Sequence, residues 1–163
     1  MADRRVCVVV GVGPGNGAAF CRRFAAGGYR VAAMARRLDA LRDVVDATDD
    51  VAPYAMDVTD PSACARAFDR VREELGEPDV VLHNAGSGTW GTFDEVDDDD
   101  LRAAWEVNAL GLFHVAKQVV PGMRERGRGA IGVTGATATT RGKPATTAFA
   151  QAKAAQHHLA ESL

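Results

Sequence analysis

Five apolar residues in a row, Val6-Cys7-Val8-Val9-Val10, run directly into a segment with glycine at four of its seven positions, Gly11-Val12-Gly13-Pro14-Gly15-Asn16-Gly17. No other stretch of the chain restricts the fold so tightly. An apolar run that does not alternate with polar residues is a strand buried on both faces. A helical stretch follows with Ala18, Ala19, Phe20, Phe24 and Ala25, and Gly27-Gly28 closes it. Strand, glycine turn and helix in that order form a phosphate cradle. Glycine lets the backbone approach an anion without a Cβ in the way, and the helix N-terminus offers free N–H groups and the positive end of its dipole. The alternative is a tight turn with no ligand. The glycines fit two registers, Gly11-x-x-x-Gly15-x-Gly17 and Gly13-x-Gly15-x-x-Ala18, and the turn alone does not choose between them.

The alternation continues along the chain. Strands are predicted at Tyr29 to Met34, Val51 to Met56, Asp79 to His83 and Ala130 to Thr134. Helices are predicted from Leu38 to about Ala47, from Asp60-Pro61 to about Leu75, from about Asp98 into the 120s, and from Ala145 or Thr146 onward, still running at Leu163. Pro53 suits an edge strand, Pro61 a first helical position, and Pro121 is expected to kink or end the long helix. This pattern predicts one α/β domain over residues 1–163, a doubly wound Rossmann fold. Its parallel sheet carries helices on both faces, in three layers. Ligands belong outside the carboxyl ends of the strands.

Composition narrows the function. With 163 residues, 47% of them hydrophobic and 25% charged, the chain can bury a core without disulfides or metals. A net charge of −3 argues against a nucleic-acid or membrane surface. The apolar run after Met1-Ala2-Asp3-Arg4-Arg5 is too short for a signal peptide or membrane span. Cys7, Cys21 and Cys64 form no Cys-x-x-Cys pair and are expected to be buried and reduced, as in a cytoplasm. No metal-ligand cluster is expected. The acidic run Asp97 to Asp100 reads as a helix start, where negative charge suits the dipole.

The second strand ends Met34-Ala35-Arg36-Arg37. An NAD site carries an acid here for the ribose 2′-hydroxyl. Ala35 stands in its place, and Arg36 and Arg37 offer permanently charged planar forks suited to a 2′-phosphate. NADP is therefore the expected cofactor, ahead of NAD. The plainer alternative is a solvated arginine pair.

Further motifs stand in order: Asp57-Val58 after the third strand, Asn84-Ala85-Gly86 after the fourth, Asn108 in Val107-Asn108-Ala109-Leu110-Gly111, and Lys153 in the last helix. With Gly11-x-x-x-Gly15-x-Gly17 they resemble the short-chain dehydrogenase/reductase family over the whole chain. The resemblance implies that Gly11, Gly13, Gly15, Asn16 and Gly17 hold the pyrophosphate and that Asp57 and Val58 contact adenine. Asn84, Ala85 and Gly86 would lie beside the cofactor. Asn108 and Lys153 would be catalytic, with Lys153 also on the nicotinamide ribose. It further implies an NADP(H)-dependent oxidoreductase acting on a small carbonyl or alcohol, and a homodimer or homotetramer paired through the long and last helices.

Two positions depart from the family. Its proton-donating tyrosine, four residues before the lysine, is Phe149, and its serine, thirteen residues earlier, is Ala136. Reduction of a carbonyl leaves an alkoxide that needs a proton, and Phe149 has none to give. Losing a positioned acid costs about 10² to 10⁴ in rate, and losing an oxygen-binding donor a comparable factor. Tyr29 and Tyr54 belong to early strands and do not replace it. Thr134, Thr137, Thr139 and Thr140 are candidates to hold a carbonyl oxygen. Thr134 to Ala138 and Phe149 to Lys153 resemble a subgroup with phenylalanine at the tyrosine position. The alternative function is an NADP(H)-binding pseudoenzyme, sensor or oligomerisation partner without redox turnover. Family members continue beyond the lysine helix into two more strands and a substrate cover. The chain is accordingly expected to be part of a longer polypeptide, or to have its fifth strand covered by something else. Trp105 is expected in the core or a dimer interface, Trp90 as a packed loop anchor ahead of a pocket wall, His83 at a strand end with a satisfied ring, and His157 and His158 on the surface.

Overall fold

A computed structural model describes residues 4–46 and 49–163. The expected lead Met1-Ala2-Asp3 and the expected helix end at Ala47 lie outside the described residues. The apolar run Val6–Val10 becomes β1, buried at every position, at the centre of a five-stranded sheet. β2 (Arg30–Ala35) and β4 (Pro78–His83) flank it, and β3 (Val51–Ala55) and β5 (Ala130–Val133) form the edges. Every ladder is parallel, with Val8 opposite Ala32 and Val81, and His83 opposite Val10 and Val133. This is the predicted doubly wound Rossmann sheet, with Pro53 in an edge strand.

Successive strand residues face opposite ways, so β1 feeds two cores. Cys7 and Val9 pack with Cys21 and Ala25 of α1 (Asn16–Ala26) and Val44 of α2 (Arg42–Val45). Val8 and Val10 pack with Phe68 and Val71 of α3 (Pro61–Glu74) and Val115 and Val119 of α5 (Gly111–Glu125). α4 (Asp98–Trp105) meets α6 (Thr147–Glu161) through Ala104, Ala148 and Ala152. Small side chains there bring α6 close to the end of the sheet.

The helix starts follow their caps. Asp60 accepts from the Ser62 N–H at 2.8 Å, with Pro61 next to it. Asp97 accepts from the Asp100 N–H at 2.9 Å and donates its own N–H to Asp100 at 3.3 Å. The acidic run is thus a helix start, as read. The three cysteines are buried and unpaired, and burial pushes the thiol of Cys7 up to about 12 and those of Cys21 and Cys64 to about 11. Among the described residues no helix is long and apolar enough to cross a membrane.

The structure corrects several boundaries. Leu38–Leu41 is a 3₁₀ turn ahead of α2, in place of a regular helix start. A π turn at Glu106–Leu110 separates α4 from α5. Pro121 does not end α5, which runs on to Glu125. Its missing N–H opens one rung near the helix end, and Gly127, at φ +63, turns the chain away. α6 ends at Glu161 and does not run through Leu163. The Ser162 hydroxyl donates to His158 O at 2.8 Å, and the Ser162 and Leu163 N–H groups close tighter bonds to Leu159 and Ala160.

Candidate active site

β1 and β4 are neighbours whose following segments leave toward opposite faces, and a crevice opens where they part. It is a cleft of about 860 Å³ lined by Gly11, Gly13, Gly15, Asn16, Gly17, Arg36, Arg37, Asp57, Val58, Asn84, Ala85 and Gly86. Every residue expected to contact cofactor, except Lys153, meets in this one place.

The four glycines do two different jobs. Gly11 has φ +85, and a Cβ on it would lie 2.4 Å from the Ala85 nitrogen. A Cβ on Gly17 would lie 2.7 Å from Val12 Cα. These two seal the turn against the β4 loop and against itself, which selects the register Gly11-x-x-x-Gly15-x-Gly17. Cβ atoms on Gly13 and Gly15 would meet nothing within 4 Å. That open surface leads to the start of α1, which no side chain caps. A cradle of bare backbone at an uncapped helix N-terminus fits a phosphate.

Asn84 locks the crevice. Its side-chain amide donates to Gly11 O at 2.8 Å, its own N–H donates to Val10 O at 2.8 Å, and its Oδ1 accepts from the Thr134 hydroxyl at 2.9 Å. One side chain thus ties the ends of β1, β4 and β5. At the other end Ala35 leaves no carboxylate. Arg36 is exposed and has no ion pair among the described residues, while Arg37 lies 3.6 Å from Asp39. Asp57 Oδ1 accepts from both the N–H and hydroxyl of Thr59, at 2.9 and 2.8 Å. Val58 is buried, and its carbonyl lies 2.8 Å from His114 Nδ1.

Asn108, Lys153, Phe149 and Ala136 lie outside the cleft lining, and the first three gather beside its Gly86 end. Asn108, on the π turn, donates its amide to Ala104 O at 2.8 Å and to Ser87 O. Lys153 is buried and donates to Thr134 O and Gln156 Oε1, both at 2.9 Å. Burial holds its ammonium below the ordinary lysine range. The Phe149 ring centre is 5.9 Å from Lys153 Nζ, and its side chain packs on Gly88. Ala136 is half-buried at the start of a 3₁₀ turn and brings no hydroxyl to the group.

Four expectations are corrected here. Trp90 is no packed anchor: it is 69% exposed and stacks on Phe149 at 5.5 Å. The His83 ring is fully buried with neither nitrogen partnered among the described residues, and burial, aided by the Lys153 charge, pushes it down to about 3. Thr134 is not available to a carbonyl, because its hydroxyl proton goes to Asn84. Trp105 is 43% exposed and so is not core. His157 and His158 are surface residues beside Glu161, as expected. Gln156, fully buried between Lys153 and Asn108, went unnoticed in the sequence. Its only signal there is a position one helical turn beyond Lys153.

The family model for short chain dehydrogenases matches residues 5–163. The chain belongs to the short-chain dehydrogenase family. An acetoacetyl-CoA reductase from Cupriavidus necator is 33% identical over 94% of this chain and 65% of its own length. A 7alpha-hydroxysteroid dehydrogenase from Escherichia coli K12 is 29% identical over 99% of this chain and 64% of its own. A short-chain dehydrogenase structure from Streptomyces avermitilis superposes with a TM-score of 0.94 at 30% identity, covering 99% of this chain and 59% of that one. A variant of actinorhodin polyketide ketoreductase solved with NADPH gives 0.93 at 28% identity, covering 98% and 64%. The chain thus spans between about half and two thirds of the length of the relatives it matches.

Proposed function

We propose that this short-chain dehydrogenase chain is the cofactor-binding part of an NADP(H)-dependent oxidoreductase acting on a carbonyl or alcohol, with a degenerate proton donor. The observation that carries the reading is the open Gly13–Gly15 cradle, continuous with Ala35, where an NAD site would hold an acid, and with Arg36, which has no ion pair among the described residues. The reductase relatives, one solved with NADPH, support it. Gly11, Gly13, Gly15, Asn16 and Gly17 would hold the pyrophosphate, and Arg36 and Arg37 the 2′-phosphate. Asp57 and Val58 would border the adenine, and Asn84, Ala85 and Gly86 would run beside the nicotinamide half. When bound, the nicotinamide supplies the two-electron chemistry. The chain's own part is to orient and to exclude water. Lys153 keeps one N–H free for a ribose hydroxyl, and Phe149 with Trp90 walls the Gly86 end with carbon.

Titration with NADPH and NADH tests this. NADPH is expected to bind selectively, and Arg36→Ala to weaken NADPH about 10-fold or more while barely touching NADH, since a charge-assisted phosphate contact is lost. Equal weakening of the two, or binding of neither, overturns the assignment.

A second reading, dinucleotide binding without turnover, is favoured by the missing hydroxyls at Phe149 and Ala136. Phe149→Tyr with Ala136→Ser separates the two. On the oxidoreductase reading it raises ketone reduction by about 10²-fold or more across a carbonyl panel. No gain favours the binding protein. A second copy of the chain is the partner this reading expects, supported by half-exposed Trp105 and Phe113 near the junction of α4 and α5.

A further inference from the structure

A lysine ammonium carries three N–H donors on a flexible stem, so its place is set by what accepts from it. Lys153 gives one N–H to Thr134 O and one to Gln156 Oε1. The Gln156 amide nitrogen then donates to the main-chain oxygen of Asn108 at 3.0 Å. Gln156 is 1% exposed, so both ends of its amide are committed to these partners and not to water. One side chain therefore joins the ammonium to the π turn Glu106–Leu110. Such turns recur where a helix backbone serves a site.

Two polar atoms remain on the Gly86 side. A Cβ on Gly86 would lie 3.2 Å from Asn108 Oδ1 and 3.4 Å from Lys153 Nζ. Asn108 Oδ1 is buried with no hydrogen-bond partner among the described residues. A buried acceptor left open in this way calls for a donor from outside the chain, which a ligand hydroxyl can supply.

We infer that Gln156 is a positioning residue whose amide sets the spacing between Lys153 Nζ and Asn108 Oδ1. One ligand hydroxyl can then accept from the first and donate to the second over Gly86. The inference rests on the NADP(H) reading for the identity of that ligand, but not for the positioning itself. An apolar side chain at 156 would fill the space and leave Asn108 O and a Lys153 N–H without their partners. The titratable group facing Lys153 is His83 on β4, which is neutral at ordinary pH. Thr134, Asn108 and Gln156 carry no charge.

The chain has three lysines, Lys117, Lys143 and Lys153, so Cε-labelled lysine NMR gives three signals, and Lys153→Met identifies the buried one. Gln156 accepts from the ammonium and so favours its charged form. Gln156→Leu is expected to lower the Lys153 titration further, and Gln156→Glu, which keeps the acceptor and adds charge, to raise it. In parallel, Gln156→Leu should weaken NADPH about tenfold and leave adenosine 2′,5′-bisphosphate unchanged, since that ligand reaches only the Arg36 end. An unmoved Lys153 titration overturns the inference. Equal weakening of both ligands also overturns it, because that marks general loosening. If Gln156→Leu does not fold, Gln156→Glu decides alone: a raised Lys153 titration supports the positioning, and an unchanged one refutes it. If the parent chain binds neither ligand while Lys153 still responds, the NADP(H) reading falls and the positioning by Gln156 stands.

Discussion

Gly11 and Gly13 are two residues apart, and the fold uses them differently. At Gly11 a Cβ meets the Ala85 backbone at 2.4 Å and φ is +85, so Gly11→Ala combines backbone strain with a clash against an atom that has no freedom to move. It is expected to destabilise the chain by more than about 2 kcal/mol. At Gly13 a Cβ enters open space, so Gly13→Ala should leave stability within about 0.5 kcal/mol and act on dinucleotide affinity instead. Urea unfolding with NADPH titration separates the two effects. A large stability loss at Gly13, or none at Gly11, refutes the division. The sequence shows four glycines alike, because which of them faces the β4 loop depends on residues more than seventy positions away.

Among elements, the approach of α5 to the loop after β3 is governed by Gly111. A Cβ there would lie 2.8 Å from Val58 Cγ2 and 3.0 Å from Val58 Cβ. Alanine at a helical position gains up to about 1 kcal/mol over glycine. Overpacking a tight contact costs about 1–3 kcal/mol. The clash involves a stiff β-branched side chain, so it is expected to win, and Gly111→Ala should destabilise by about 1 kcal/mol, read as a lowered denaturation midpoint. A stabilised Gly111→Ala would mean that the helix shifts freely against Val58. Element identity was largely legible: a valine run, an Asp-Pro helix start and an acidic helix start each carry their own local cause. The π turn around Asn108 was not, since one inserted residue leaves no mark in a pattern that stays apolar on the buried side.

At the scale of the whole molecule, the carboxyl end of β4 holds an imidazole with no partner among the described residues. His83 is fully buried and its folded-state value is about 3, against an ordinary 6.5. Between those values the unfolded chain binds a proton that the folded chain does not, so stability rises with pH across that window. The contribution is complete above 6.5 and is lost as pH falls toward 3. Acidification from pH 6.5 to 5 should cost up to about 1.4 kcal/mol per pH unit from this residue. His83→Gln should flatten the dependence over that interval. An equally steep variant would assign the slope to other groups.

The local signals in this sequence sufficed for the parallel α/β sheet, its glycine turn, its edge strand at Pro53 and the cleft residues from Gly11 to Gly86. Each of these depends on neighbours in the chain or on a period of two or 3.6 residues. What only the tertiary structure decided was the pairing of groups remote in sequence. Thr134 spends its hydroxyl on Asn84, Trp90 leaves its loop to stack on Phe149, and Gln156 closes the link between Lys153 and Asn108. A hydrogen bond or ring contact is satisfied by whatever the fold brings within a few ångströms, and that distance is set by the packing of α6 on α4 and the π turn, not by any run of residues along the chain.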